Sequence, residues 1–209
     1  MTEKRQSQRR QFNMVDNAGN DEESPDQQKL RLTTLWSSWQ IGANIIWAYV
    51  GILAVDLGAT GLEQSMVSGV NTLGNASLQS VWGNLADRFG RRPFLFLGLL
   101  AIGMTAAFMP LAPNSLSLII LLLVPTVIGS AAIPAWNGIL GDLTTASSRG
   151  RFIGAIQVIG TIVSAVVLII VGYYTINISI VFLAPHQLPF IVGAASIFIA
   201  IICTLSLHE

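Results

Sequence analysis

The side chains able to do acid–base or ionic chemistry gather in two short stretches. The first reads Gly83-Asn84-Leu85-Ala86-Asp87-Arg88-Phe89-Gly90-Arg91-Arg92-Pro93, the second Gly141-Asp142-Leu143-Thr144-Thr145-Ala146-Ser147-Ser148-Arg149-Gly150-Arg151. In each, a carboxylate is followed by arginines. Gly83 and Asp87 are four apart and share one helical face, and a glycine lets another helix come close. An acid at a helix C-terminus is repelled by the helix dipole. Asp87 and Asp142 therefore need compensation from the arginines or from the N-terminus of another helix. Gly90 suits a tight reversal, and Pro93 is tolerated in the first turn of a following helix. This is the chemistry of an electrostatic brace, with no nucleophile paired to a base. His186 and His208 fall outside the predicted helices. Cys203 is the only cysteine, so neither a disulfide within the chain nor a cysteine-ligated metal cluster can form. No metal, no cofactor and no enzymatic activity are expected.

The elements that carry these residues are apolar. Of 209 residues, 52% are hydrophobic and 11% charged, against about 25% charged in a soluble domain. Lipid must be part of the solvent. The zero formal net charge argues against a nucleic-acid partner. Stretches 32–55, 64–86, 93–141 and 152–208 contain no Asp, Glu, Lys or Arg. A spanning helix needs roughly 20 apolar residues, so the first two stretches hold one helix each and the last two hold a pair each. The breaks are predicted at Pro110–Asn114 and between Asn177 and Pro189. The expected fold is all-α, with six transmembrane helices over 34–55, 63–84, 93–110, 116–138, 152–174 and 188–207. Residues 1–31 are polar and poor in large apolar side chains, the composition of a disordered tail, leaving 32–209 as the membrane domain.

Charge placement orients it. Lys4, Arg5, Arg9, Arg10, Lys29 and Arg31 precede the first helix. Arg88, Arg91 and Arg92 lie between the second and third, and Arg149 and Arg151 between the fourth and fifth. Every basic residue falls on one side, which the positive-inside rule makes cytoplasmic. Both termini are therefore expected in the cytoplasm, in a multi-pass protein of the cell membrane. Trp36, Trp39, Trp82 and Trp136 lie near the cytoplasmic ends and read as an interfacial aromatic belt. Trp47 lies deeper.

The first stretch closely resembles the cytoplasmic loop signature of the major facilitator superfamily, Gly-x-Leu-Ala-Asp-Arg-x-Gly-Arg-Arg, and falls after the second helix as it does there. The second is similar to a family pattern of an acid followed seven residues later by Arg-Gly. Pro134-Ala135-Trp136-Asn137, leading into it, is similar to prokaryotic members. The resemblance implies one six-helix half of a twelve-helix carrier that works by alternating access around a central cavity. It implies a conformational gate made by Gly83, Asp87, Arg88, Gly90, Arg91, Arg92, Asp142, Arg149 and Arg151. The implied partners are the lipid bilayer, a small-molecule solute and a second six-helix half, either a C-terminal portion or another copy.

Family architecture places the first and fourth helices at the cavity, with the second and fifth partly lining it. The resulting substrate-path candidates are Gln40, Asn44, Trp47, Asn71, Asn75, Gln157 and Thr161, with Ser164 beside them. The alternative role for such polar residues is hydrogen bonding between helices. Gln157 follows Arg149 by eight residues, a spacing similar to the sugar-porter branch. Val124–Ser130 lacks the arginine that proton-coupled members often carry, Gly160–Gly172 lacks the antiporter Gly-Pro signature, and no ionisable residue falls well inside a span, so no proton relay is expected in this half. Sugar-type uptake and drug or metabolite efflux both stay open. A truncated relic or a membrane scaffold that transports nothing is the alternative to a carrier. Gly141-Asp142 also resembles half of an intramembrane aspartyl protease site. Ile139 stands where that site has glycine, and no second aspartate lies inside a span. Asn177-Ile178-Ser179 is a glycosylation sequon.

Overall fold

The computed structural model describes residues 25–144, 147–177 and 187–206. They form α1 (Pro25–Asp56), α2 (Gly61–Phe89), α3 (Arg91–Phe108) with a 3-10 turn (Met109–Leu111), and α4 (Ser115–Val127). A second 3-10 turn (Gly129–Ala131) leads into α5 (Ala132–Leu143), followed by α6 (Arg149–Asn177) and α7 (Gln187–Leu205). There is no strand among the described residues. Five segments are long and apolar enough to cross a membrane: Gln27–Asp56, Arg91–Leu111, Ser115–Leu143, Arg149–Thr175 and Gln187–Leu205. The chain is an all-α membrane protein.

The predicted span 63–84 falls on α2. At 29 residues and about 1.5 Å rise per residue it is long enough, but Asn71, Thr72, Asn75, Gln79 and four serines keep it less apolar than the other five. Its polar groups are largely turned back on the helix. The Ser65, Thr72 and Ser77 hydroxyls donate to the carbonyls of Gly61, Ser68 and Leu73, and Asn75 donates to Asn71.

Helix starts follow side-chain capping. Thr60 and Glu63 form a reciprocal capping box at α2, and Asn114 with Ser117 forms one at α4. Ser115 Oγ donates to Glu63 at 3.2 Å, tying the two starts together. Segment Ser115–Leu143 is one rod broken in the middle. Pro125 lacks the N–H that would bond the Leu121 carbonyl, and at the 3-10 turn that follows the carbonyl of Val127 accepts from Ser130 Oγ at 2.9 Å and Trp82 Nε1 at 2.8 Å.

The structure corrects the boundary of the N-terminal tail. Residues 25–31, assigned above to disorder, are the first turns of α1. Pro25 suits a helix start, the run Gln27-Gln28-Lys29-Leu30-Arg31 is rich in helix formers, and Arg31 anchors the segment by donating to the carbonyl of Ser206 at 2.6 Å. Residues 1–24, 145–146, 178–186 with His186 and the rest of the Asn177 sequon, and 207–209 with His208 lie outside the described residues.

The core sits where α7 packs between α1 and α3. Phe190, Ile197, Ala200 and Thr204 on α7, Leu35 and Ile45 on α1, and Leu95 and Leu99 on α3 are fully buried. Two glycines permit backbone-to-backbone approach. A Cβ on Gly42 would lie 2.8 Å from the carbonyl oxygen of Gly193, and one on Gly98 would lie 2.6 Å from the amide nitrogen of Ala132. α6 packs on α1 and leaves most of its surface open.

Gly98→Ala should force α3 away from the start of α5, where backbone cannot yield. The expected loss is about 1–3 kcal/mol of stability, read as a lower thermal midpoint in detergent. Gly154→Ala, inside α6 with a Cβ that would meet nothing within 4 Å, should instead raise the midpoint slightly, by the helix propensity gained over glycine.

Candidate functional site

The arginines and the helix ends form one system. The last carbonyls of a helix have no partner within it and sit at the negative end of its dipole. Arg31, Arg92 and Arg149 are spent on such ends, and Arg91 grips a helix one turn before its end. Gly90, at φ 92°, makes the reversal between α2 and α3, a backbone conformation that suits glycine. The neighbouring Arg91 and Arg92 then diverge around the start of α3. Arg91 reaches α5: Nη1 donates to the carbonyl of Gly138 at 2.7 Å and to the carboxylate of Asp142. Its Nη2 and Nε donate to Asp87 Oδ1 at 3.1 and 3.3 Å. Arg92 reaches α7, with Nε on the Thr204 carbonyl at 3.1 Å and Nη2 on that of Leu205. Arg31 holds Ser206 beside them. Arg149 closes α5 through the Gly141 carbonyl at 2.7 Å and Thr144 Oγ1 at 3.1 Å.

Gly138 makes room for this clasp. A Cβ there would lie 2.3 Å from Arg91 Nε, so the guanidinium rests on bare backbone. A Cβ on Gly83 would meet Pro134 at an ordinary 3.6 Å. Of the nine residues predicted for a gate, the structure joins Asp87, Arg91 and Asp142 in one network and sets Gly90 at its turn. It gives Arg92 and Arg149 separate carbonyls. Arg88 and Arg151 are exposed, without a hydrogen bond or ion pair to the described residues. Sequence reasoning missed Gly138. Its signal was a glycine four residues before Asp142, the same spacing as Gly83 and Asp87.

A cavity of about 300 Å³ opens among α1, α2, α3, α4 and α5. α1 supplies Trp36, Trp39, Gln40, Ala43, Ile46 and Trp47, and α2 supplies Asn71 and Asn75. Ile102 and Thr105 come from α3, Leu122 and Pro125 from α4, and Ile133, Trp136 and Asn137 from α5. No Asp, Glu, Lys, Arg or His is among the described residues that line it. Trp36 stacks on Trp136 with centroids 5.2 Å apart and planes 15° apart, and meets Trp39 edge-on at 5.3 Å. Trp136 is 2% exposed and Trp39 8%. These three pack on one another and wall the cavity, Trp39 and Trp136 buried and Trp36 half-buried. Trp82 is held against the broken rod through its Nε1.

Of the substrate-path candidates, Gln40, Trp47, Asn71 and Asn75 come together on this cavity. Asn44 instead donates to Ser164 at 3.0 Å, linking α1 to α6. Gln157 and Thr161 lie exposed along α6. Thr105 went unnoticed in the sequence. It is 2% exposed, and its Oγ1, like Trp36 Nε1, has no hydrogen-bond partner among the described residues. Nothing in the local sequence marks it, because a threonine in a membrane helix ordinarily bonds the preceding turn.

Residues 38–208 match the family model for the Major Facilitator Superfamily. The chain is 38% identical over 73 residues to the multidrug transporter AQR1 of Candida glabrata, a match covering 35% of this chain and 12% of that protein. It is 34% identical over 91 residues to the quinidine resistance protein 1 of Saccharomyces cerevisiae, covering 42% and 16%. It is 30% identical over 107 residues to the efflux pump dotC of Dothistroma septosporum, covering 51% and 18%. The matched stretches thus span less than a fifth of the length of these relatives.

Gly138→Ala should displace Arg91 without altering any charge, and so reproduce Arg91→Ala. A double-mutant cycle on thermal midpoints should give strong non-additivity, with a coupling on the order of 1 kcal/mol. Strict additivity of the two changes would show that the clasp does not act as a unit.

Proposed function

The chain belongs to the major facilitator superfamily, and we propose that it is the N-terminal half of a secondary carrier that moves a small organic solute by alternating access. The observation that carries this reading is a cavity with no charged residue among its described lining, walled by three packed tryptophans, one of which, Trp136, stands on α5, the helix gripped further along by Arg91. Gln40, Trp47, Asn71 and Asn75 are the polar and aromatic contacts of the solute path. Asn44, Gln157 and Thr161 extend that path over the open α1–α6 side, where a second six-helix half would seat.

In this reading α2 is the sixth span, its polar groups satisfied within the helix and against α4. Both termini and all the arginine contacts lie on the cytoplasmic side of the cell membrane, in keeping with the one-sided placement of Lys and Arg. Asp87, Arg91 and Asp142 form the cytoplasmic gate with Arg88, Arg92, Arg149 and Arg151 around them, and Gly83 and Gly90 shape the turn. The short share of the relatives covered by the matches supports a missing second half. Their names, which speak of multidrug transport, quinidine resistance and efflux, support export of an organic compound over sugar uptake. A cavity without charge suits such a solute, since its walls offer dispersion, stacking and a few neutral hydrogen bonds.

Quinidine is a suitable probe. Joined to a six-helix C-terminal half in vesicles, the chain should move it, and Asp87→Asn should slow that movement while leaving binding in place. Binding should be read separately, by quenching of tryptophan fluorescence. Asn71→Ala and Asn75→Ala should each weaken it roughly fivefold, the value of about 1 kcal/mol per lost hydrogen bond. Unchanged binding in both variants would remove this cavity from the solute path.

A further inference from the structure

The hydrogen bonds behind the polar wall of the tryptophan cavity run in one direction. Thr126 on α4 is 2% exposed and donates its hydroxyl hydrogen to the carbonyl of Leu122 at 2.8 Å. A carbonyl only accepts, so that hydrogen is spent and Thr126 Oγ1 is left as an acceptor. Asn71 Nδ2, on α2, donates to it at 3.5 Å. Asn71 thereby turns its oxygen the other way, where Asn75 Nδ2 donates to it at 3.0 Å. The same nitrogen donates to the backbone carbonyl of Asn71 at 2.9 Å, a second group that only accepts. Two backbone carbonyls, on different helices, thus impose one sense on both amides. Gly74 lets the helices come this close, since a Cβ there would run into the Thr126 methyl.

The chain of bonds ends at Asn75 Oδ1. Nothing among the described residues donates to that oxygen. Asn75 is half-buried and lines the cavity. Gln40 and Asn137 line it too, and neither has a hydrogen bond to the described residues. An amide that can turn offers a solute a donor or an acceptor equally. Asn75 cannot turn without losing two bonds, so it offers an acceptor alone. Linked hydrogen bonds polarise one another, and donation by its nitrogen makes its oxygen the stronger acceptor.

We propose that Asn75 Oδ1 makes the cavity selective for solutes that carry an O–H or N–H donor on an otherwise apolar, aromatic body. The inference rests on the reading of this cavity as the solute path. A solute without a donor would cover the oxygen and leave it unpaired, which is costly. A solute that set an ether or ketone oxygen there would add repulsion between two acceptors.

The test compares 2-naphthol with 2-methoxynaphthalene, which share a ring system and differ by one donor. Their binding to the purified chain in detergent can be read by equilibrium dialysis, with chain-free detergent as the blank. 2-Naphthol should bind about fivefold tighter, the effect of one hydrogen bond. Asn75→Leu should bring the ratio to about one, chiefly by weakening 2-naphthol, and Thr105→Val should leave it as it was. Equal affinities in the unaltered chain overturn the proposal, and that comparison depends on the folding of no variant. A ratio that survives Asn75→Leu, or that is lost in Thr105→Val instead, would move the donor to another group and overturn it as well. Failure of the solute reading would show differently, as quinidine left unmoved in vesicles while the fivefold ratio persists.

Discussion

A helix that ends at a membrane face leaves its last carbonyls unpartnered, and much of this structure follows from how that debt is met. Arg31 and Arg92, from opposite sides of the bundle, close the end of α7. Arg149 closes the end of α5, and Arg91 holds that helix one turn earlier through Gly138 and Asp142. Each guanidinium is planar and carries five donors, so it can bridge a carbonyl and a carboxylate at once, as Arg91 does with Gly138 and Asp142. Exposed ion pairs alone are worth little. The value of these lies in carbonyls satisfied and in helix ends held to one another.

The same constraint operates inside the bundle, where water is scarcer. Pro125 and the 3-10 turn after it interrupt the middle of an apolar rod, and around that break Thr126, Ser130 and Trp82 donate hydrogen bonds to the carbonyls of Leu122 and Val127. Serine and threonine hydroxyls along α2 fold back on their own helix. Thr105 Oγ1, Trp36 Nε1 and Ser37 Oγ are the exceptions among the described residues, and the first two belong to side chains that line the cavity. Unpartnered polar groups are costly when buried, so a hydrogen-bonding partner that reached either of those two from the cavity would be favoured.

Much of this was legible in the residues. Absence of charge over long stretches marked the apolar helices, because each charge is expensive in hydrocarbon. The capping residues and prolines marked the break before α4, and the Gly83–Pro93 stretch pointed to the family that residues 38–208 match. Three things were not legible. The start of α1 at Pro25 depends on Arg31 finding Ser206, a partner 175 positions away. The tryptophans looked interfacial by sequence position, whereas their stacking depends on α1 and α5 meeting. The partners of Arg91 and Arg92 are equally non-local, since adjacent residues on a helix point about 100° apart and each found a different helix end.

The short helix α5 joins the two halves of the functional picture. Its first turns carry Ile133, Trp136 and Asn137 on the cavity, and its last turns carry Gly138 and Asp142 under Arg91. Twelve residues make a rod of about 18 Å, too short to bend appreciably between these points. At its other end stands the 3-10 turn Gly129–Ala131, where the backbone already departs from α geometry and a hinge costs least. In the proposed cycle, release of Asp142 and the Gly138 carbonyl by Arg91 would let α5 tilt about that turn and carry Trp136 with it. Trp36 is stacked on Trp136, so α1 would feel the same displacement. The clasp and the cavity thus share one short helix, with Asn137 on the cavity next to Gly138 under Arg91.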